Sequence, residues 1–350
     1  MIVVGCYFGI TPWNMNRLSI DESDLSFSIL IFGIFFVLSN QIAGRILVPK
    51  YGTKLVMSLA FPLITFSTLL SIISSSYFYF LLTFIPAGIG WGASGPIGGI
   101  HCQLIEKHFK KIITPYYAMG FNIGILVGGG LAGIIMRYSF EPFMFFLVLS
   151  FSSILVALLV LHLGLPSNLD FKGKGEKFKI PESNVLIFGF ILFFVFGSGG
   201  IIMDWSTLWL SKDLNTPLYL ASMGLIFFSI GGIFANLFSN SLIDLFTEKV
   251  VGCHFVMIGA SIMLLSLLTN NFYIILGVLC IYGFAIANLV PIVIRQAVKQ
   301  SNESIPMTVT NLITIGLSST MIMPAAIGFL AETFSPVSYT HLTLPTNREV

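Results

Sequence analysis

Seven side chains able to hold or orient a small molecule fall inside otherwise apolar stretches: Trp91, Asn122, Asp204, Trp205, Asn236, Asn288 and Asn311. A polar group in such a stretch is costly unless it faces a cavity or another helix, so each is a candidate site residue. The asparagines can both donate and accept hydrogen bonds, which suits an uncharged polyol or sugar. Each can equally tie one helix to its neighbour. Trp91 and Trp205 can stack on a sugar face. Asp204 follows the flexible Gly197-Ser198-Gly199-Gly200. Two readings of it stand open: it accepts a substrate hydroxyl or carries a proton, or it lies at the outer membrane edge, because about 19 residues of helix from Val185 already climb ~29 Å.

Other chemistry finds few residues. His101 and His108 stand at one helix end with Lys107 between them and read as surface histidines, and Cys6, Cys102, Cys253 and Cys280 have no close-spaced pair. No metal, cofactor or disulfide framework is therefore expected, and the cysteines read as small packing residues. A membrane-embedded enzyme would need acids, histidines or a metal motif clustered near the interface, so an enzyme is not expected. A net charge of +2 and the lack of a basic run interleaved with aromatics exclude a nucleic-acid partner.

The elements that must position these residues follow from composition. The chain of 350 residues is 56% hydrophobic and 9% charged, whereas a soluble domain carries about a quarter charged residues. Continuous apolar runs such as 143–164 exclude a β-barrel, whose strands alternate apolar and polar positions, and leave membrane helices. After a short apolar start (2–13), full spans are predicted at 25–48, 55–74, 78–102, 113–136 and 143–164. A charged stretch at 165–184 separates them from spans at 185–210, 218–242, 250–268, 272–294 and 307–329. This gives a first half over 1–164, a linker over 165–184 and a second half over 185–335.

Loop charges set the orientation. Arg45, Lys50, Lys54, Lys107, Lys110, Lys111, Lys172, Lys174, Lys177, Lys179, Lys249, Arg295 and Lys299 fall on one side, and Arg17, Arg137 and Lys212 on the other. The linker side is expected to be cytoplasmic, in a bacterial inner membrane. The first apolar stretch, about 12 residues, reaches only ~18 Å against a bilayer core of about 30 Å, so a shortened first span is expected. Residues 336–350 turn polar where a twelfth span is due and read as a non-native tail.

The run Gly44-Arg45-Ile46-Leu47-Val48-Pro49-Lys50-Tyr51-Gly52-Thr53-Lys54 resembles the glycine, basic, aromatic, glycine, basic loop of the major facilitator superfamily. Asn240-Ser241-Leu242-Ile243-Asp244-Leu245-Phe246-Thr247-Glu248-Lys249 is its counterpart at the equivalent point of the second half. Pro86-Ala87-Gly88-Ile89-Gly90-Trp91-Gly92 resembles the glycine part of a second family signature. The first loop copy departs from the family by carrying Val48 and Pro49 where an acid is usual. The run ending Tyr51-Gly52-Thr53-Lys54, Met203-Asp204-Trp205-Ser206 and Ala287-Asn288-Leu289-Val290-Pro291 are similar to the fucose-permease-like bacterial branch.

The resemblance implies an all-α membrane protein of the major facilitator fold: two six-helix repeats, here with the first helix shortened and the twelfth missing. It further implies a monomeric secondary transporter with a small-molecule substrate and the bilayer as partners. The expected cargo is a neutral polar molecule such as a sugar, moved by alternating access, with proton coupling open. Drug or metabolite efflux is the alternative if the cavity proves mainly aromatic and apolar, and a non-transporting sensor on the same scaffold is a third reading. Gly44, Arg45, Lys50, Gly52, Lys54, Asp244 and Lys249 are then expected to form a gating latch.

Overall fold

The computed structural model describes residues 1–111, 113–164, 170, 180–266 and 268–334. Among them the chain is helical, with no strand. The first group of helices comprises α1 (Ile2–Gly9), α2 (Thr11–Leu18), α3 (Glu22–Ile42), α4 (Val48–Ile73), α5 (Tyr77–Phe109), α6 (Thr114–Arg137) and α7 (Pro142–Leu163). The second comprises α8 (Ser183–Lys212), α9 (Leu218–Ala221), α10 (Met223–Leu237), α11 (Ser239–Lys249), α12 (Phe255–Ser266), α13 (Phe272–Ala287), α14 (Leu289–Gln300) and α15 (Ile305–Phe334). Eight described helical stretches are long and apolar enough to cross a membrane. Most of the expected linker, and the expected tail, lie outside the described residues.

Local chemistry sets the helix starts. Asp21 caps α3 by accepting from the Asp24 backbone N–H at 2.8 Å, and Glu22 and Asp24 add negative charge to the positive end of the helix. Glu106 caps α6 from the preceding helix, accepting from the backbone N–H groups of Ile113 and Thr114, both at 2.7 Å. Asn271 caps α13 through Tyr273 and Ile274. Helix continues beyond the expected apolar stretch: after a break at Ile10, α2 runs to Leu18. Arg17 fixes that end by donating to the backbone carbonyls of Ser71 and Ser74.

Glycines set which helices touch. A Cβ on Gly88 would meet the backbone of Phe32, and one on Gly90 would lie 2.8 Å from Ile64, so one short stretch of α5 packs against α3 and α4 at the same depth. The chain must therefore reverse between α3 and α4, and it does so at Gly52 (φ 82°, ψ 164°). The second group repeats the device: Gly231 of α10 lies against the Cys280 carbonyl, Gly283 of α13 lies against the Phe228 carbonyl, and the chain reverses at Thr247 (φ 68°, ψ 155°). Contact of α3 with α15 and of α6 with α10 joins the two groups.

Candidate transport site

A cavity of about 480 Å³ lies between the two groups. Its wall comes from α1 (Tyr7, Phe8), α3 (Phe32, Phe36), α4 (Ser67, Thr68, Ser71), α5 (Thr83, Phe84, Trp91) and α6 (Tyr117, Phe121, Asn122) on one side. On the other it comes from α8 (Phe196, Met203, Asp204), α10 (Phe228, Asn236), α13 (Ile286), α14 (Pro291) and α15 (Leu317, Thr320). Helices α7 and α12 contribute none of the lining. Aromatic and aliphatic side chains make most of the wall. A band of hydroxyls, Ser67, Thr68, Ser71 and Thr83, lies toward the end away from the linker, with Tyr7 facing Ser71, Asn14 and Asp204.

The structure brings four of the seven candidates to this wall. Trp91 lines it, edge-on to Phe32 with ring centroids 6.5 Å apart. Asn122 of α6 and Asn236 of α10 meet at Gly232: Asn236 Nδ2 donates to the Gly232 carbonyl at 2.8 Å, and a Cβ on Gly232 would lie 2.8 Å from the Asn122 carboxamide. The Oδ1 of Asn236 is buried without a hydrogen-bond partner among the described residues. Asp204 lines the cavity, half-buried. Beyond this acid α8 continues for two more turns to Lys212.

The other three sit elsewhere. Trp205 is one residue from Asp204 and turned roughly 100° around α8, into a cluster with Met15, Leu25, Phe80, Phe84 and Leu208. Asn288 joins two helices, donating to the Ala235 carbonyl at 3.0 Å. Asn311 belongs to a polar network at the linker end. There Arg45, buried in a π-helical turn over Ala43–Leu47, donates to Gln41 Oε1 at 2.5 Å and to Asn311 Oδ1 at 2.8 Å. Asn311 in turn donates to Glu303 at 3.0 Å, and Thr314 donates to Asn40 at 2.7 Å.

The latch residues divide as well. Gly44 lies against Thr310, which lets the end of α3 approach α15 and puts Arg45 in reach of its partner. Lys50 sits over the Tyr51 ring at 5.0 Å, outside the contact between the groups. At Gly52 and Lys54 the acid absent from the loop itself is supplied by the linker: Asp170 accepts from the Thr53 N–H at 3.1 Å, the Thr53 hydroxyl at 2.8 Å and the Lys54 N–H at 3.5 Å. His101 joins this cluster, its Nδ1 lying 3.3 Å from the Thr53 hydroxyl, so it is no surface histidine, whereas His108 is exposed. In the second copy Asp244 and Lys249 are exposed, and the charged tie is made one residue from Lys249, where Arg295 donates to Glu248 at 2.7 Å and Gln296 donates to the same carboxylate at 2.5 Å.

At the end away from the linker, Lys212 pairs with Glu22 and again joins the two groups. Burial and the neighbouring Glu22 carboxylate push the Asp213 carboxyl above its usual range, against the pull of Lys212. Among the described residues no three His, Cys, Asp or Glu side chains gather as a metal site.

Two groups of apolar helices around a shared cavity, with polar ties between them at both mouths, make the build of a membrane transporter. The sequence matches the profile of the Major Facilitator Superfamily over residues 1–322, and the chain belongs to that superfamily. It is accordingly a multi-pass protein of the bacterial cell membrane, in a family of transporters and not of enzymes. An uncharacterised MFS-type transporter of Yersinia pestis is 23% identical over 334 residues, covering 92% of this chain and 84% of that protein. A bacterial homologue of the human lysosomal transporter Spinster, solved inward-facing and unoccupied, superposes with a TM-score of 0.67 at 15% identity over 97% of this chain and 82% of that one. The nucleoside transporter NupG, in a mutant form, superposes with a TM-score of 0.66 at 12% identity over 95% and 91% of the respective chains. Both likenesses concern the fold.

Proposed function

We propose that this protein is a secondary transporter that carries a small amphipathic organic molecule by alternating access, with residues 1–164 and 185–335 as the two moving halves and 165–184 as a cytoplasmic linker. The observation that carries the reading is the cavity wall. Phe8, Phe32, Phe84, Trp91, Phe121 and Phe228 come to it from helices of both groups, while polar side chains are a minority of the lining. Rings on all sides suit a ligand with a flat or branched apolar body. The neutral sugar expected from the asparagines finds two of the four at the wall, Asn122 and Asn236, which fit one amide or hydroxyl on such a body better than a ring of hydroxyls. The wall therefore favours the drug or metabolite reading over the sugar. Assignment to the fucose-permease-like branch rests on three short motifs alone.

Counterflow into proteoliposomes loaded in turn with aromatic amphipathic solutes and with sugars tests the proposal. Exchange of the aromatic solutes and none of the sugars is expected; saturable sugar exchange with no aromatic exchange overturns it. If proton movement is coupled, Asp204 is the group placed to carry it. Asp204→Asn should then retain exchange of uncharged solutes while losing accumulation driven by a pH gradient. Accumulation driven by a pH gradient that survives the substitution would remove coupling through this residue.

A further inference from the structure

We infer that the cargo of this cavity is a monovalent organic cation, an ammonium or delocalised cation on an apolar body, with Asp204 as its counter-charge. The inference rests on the amphipathic reading of the cavity and adds the sign of the charge. Asp204 is the single acidic side chain among the lining residues, and no Lys, Arg or His side chain lines the cavity with it. Met1 also borders the space and packs on Gly124. No described donor hydrogen-bonds the Asp204 carboxylate. A half-buried carboxylate without a hydrogen-bonding partner is costly within an apolar helix bundle, so it is satisfied by whatever enters: a proton or a positively charged ligand.

The surroundings choose between these. Met203, just before the acid, packs against the same buried cluster as Phe8, Trp91 and Phe121. Trp205, just after it, belongs to a second cluster that contains Phe84 and has Phe32 packed against it. All five of those rings also line the cavity, as Asp204 does, so the carboxylate shares the space with aromatic side chains from both clusters. Ring faces carry negative electrostatic potential and attract a cation, most strongly where water is excluded. A proton on Asp204 would leave that potential unused, an anion would meet repulsion from both, and a sugar would satisfy the acid but not the rings. The cavity, at about 480 Å³, has room for a ligand of drug-like size.

The test is fluorescence titration of the full chain in zwitterionic nanodiscs, with empty nanodiscs as blank. The two probes are a dansyl amide bearing a trimethylammonioethyl group and its neutral 3,3-dimethylbutyl isostere, which differ in charge and hardly in shape. The wild type is expected to bind the cation at least about tenfold more tightly than the isostere. Asp204→Asn should bring the two affinities to within roughly twofold by weakening the cation alone, the retained isostere binding showing that the cavity is intact. Equal binding of both probes by the wild type, or an unchanged cation preference in Asp204→Asn, overturns the inference and leaves the amphipathic cavity standing. Binding of neither probe overturns the amphipathic reading with it. Should Asp204→Asn fail to fold, the comparison of the two probes on the wild type decides alone.

Discussion

Thr247 carries the least favourable backbone among the described residues. At φ 68° and ψ 155° it occupies a region in which a β-branched side chain costs on the order of 1–3 kcal/mol. Gly52 makes the equivalent reversal of the first group at φ 82° and ψ 164° without that cost. Thr247→Gly is therefore expected to stabilise the protein by about 1 kcal/mol after the extra chain entropy of glycine is counted. Thermal unfolding in detergent checks it, and a midpoint lowered by the substitution would show that the threonine side chain holds contacts worth more than the strain. The converse change, Gly52→Thr, should destabilise by more, because its Cβ would also lie 2.5 Å from Asp170 Oδ2. The sequence points to both reversals through the loop spacing, and it marks Asp204 as an acid out of place. It cannot tell Asp204 from Trp205 by depth. One residue of helix changes the depth by only about 1.5 Å while turning the side chain from the cavity to the core. Nor does it distinguish Asn236 from Asn311, since both are lone amides in apolar helices, and only the neighbour each meets makes one a cavity residue and the other a partner of Arg45.

Helix contacts are set by which face each glycine presents. On α13, a Cβ at Gly283 would press on the Phe228 carbonyl, whereas one at Gly277 meets nothing within 4 Å. Gly283→Leu should force α13 off α10 and cost about 3 kcal/mol or more, while Gly277→Leu should be nearly neutral, since it adds apolar surface where there is space. The yield of monodisperse protein in size-exclusion chromatography and the unfolding midpoint read the difference; equal behaviour of the two would mean that the helices do not meet as described. The glycine-rich run of α6 teaches the same lesson. Gly124 and Gly128 lie tight against Met1, Ile2 and Cys6 of the first helical stretch, but Gly130 faces open space. The composition of that run predicts a close-packed helix, and that is found. Which glycines do the packing depends on helix rotation, which a run with glycine on several faces does not specify. Span order was legible because it depends on apolar length alone. Arg45 was expected in a loop, but the π-helical turn extends the helix through it and buries its side chain against α15.

The two mouths of the cavity are held by ties of unequal strength, and this sets which way the resting molecule leans. At the linker end Arg45 is buried, bonded to Gln41 on its own helix and to Asn311 across the groups, and Asn311 passes the connection to Glu303. At the other end the ion pair of Lys212 with Glu22 is partly exposed. Exposed pairs contribute roughly 0–1 kcal/mol, whereas removing one member of a buried charged network costs about 3–5 kcal/mol. Closure at the linker end should therefore dominate without ligand, and alternating access should be limited by breaking Arg45 away from Asn311. Spin labels at Ile46 and Gln300 report the linker mouth, and labels at Tyr79 and Tyr273 report the opposite one, with the exposed Cys253 replaced by serine. Double electron–electron resonance on the wild type should give one short linker-end distance. Arg45→Ala should add a longer population there, by a shift of at least about tenfold in the ratio of open to closed molecules, and Lys212→Ala should change the far-end ratio by less than roughly fivefold. If Arg45→Ala leaves the linker-end distances unchanged, the apolar contact of α3 with α15 closes that mouth by itself. The buried arginine would then serve the packing of the two helices and not the gate.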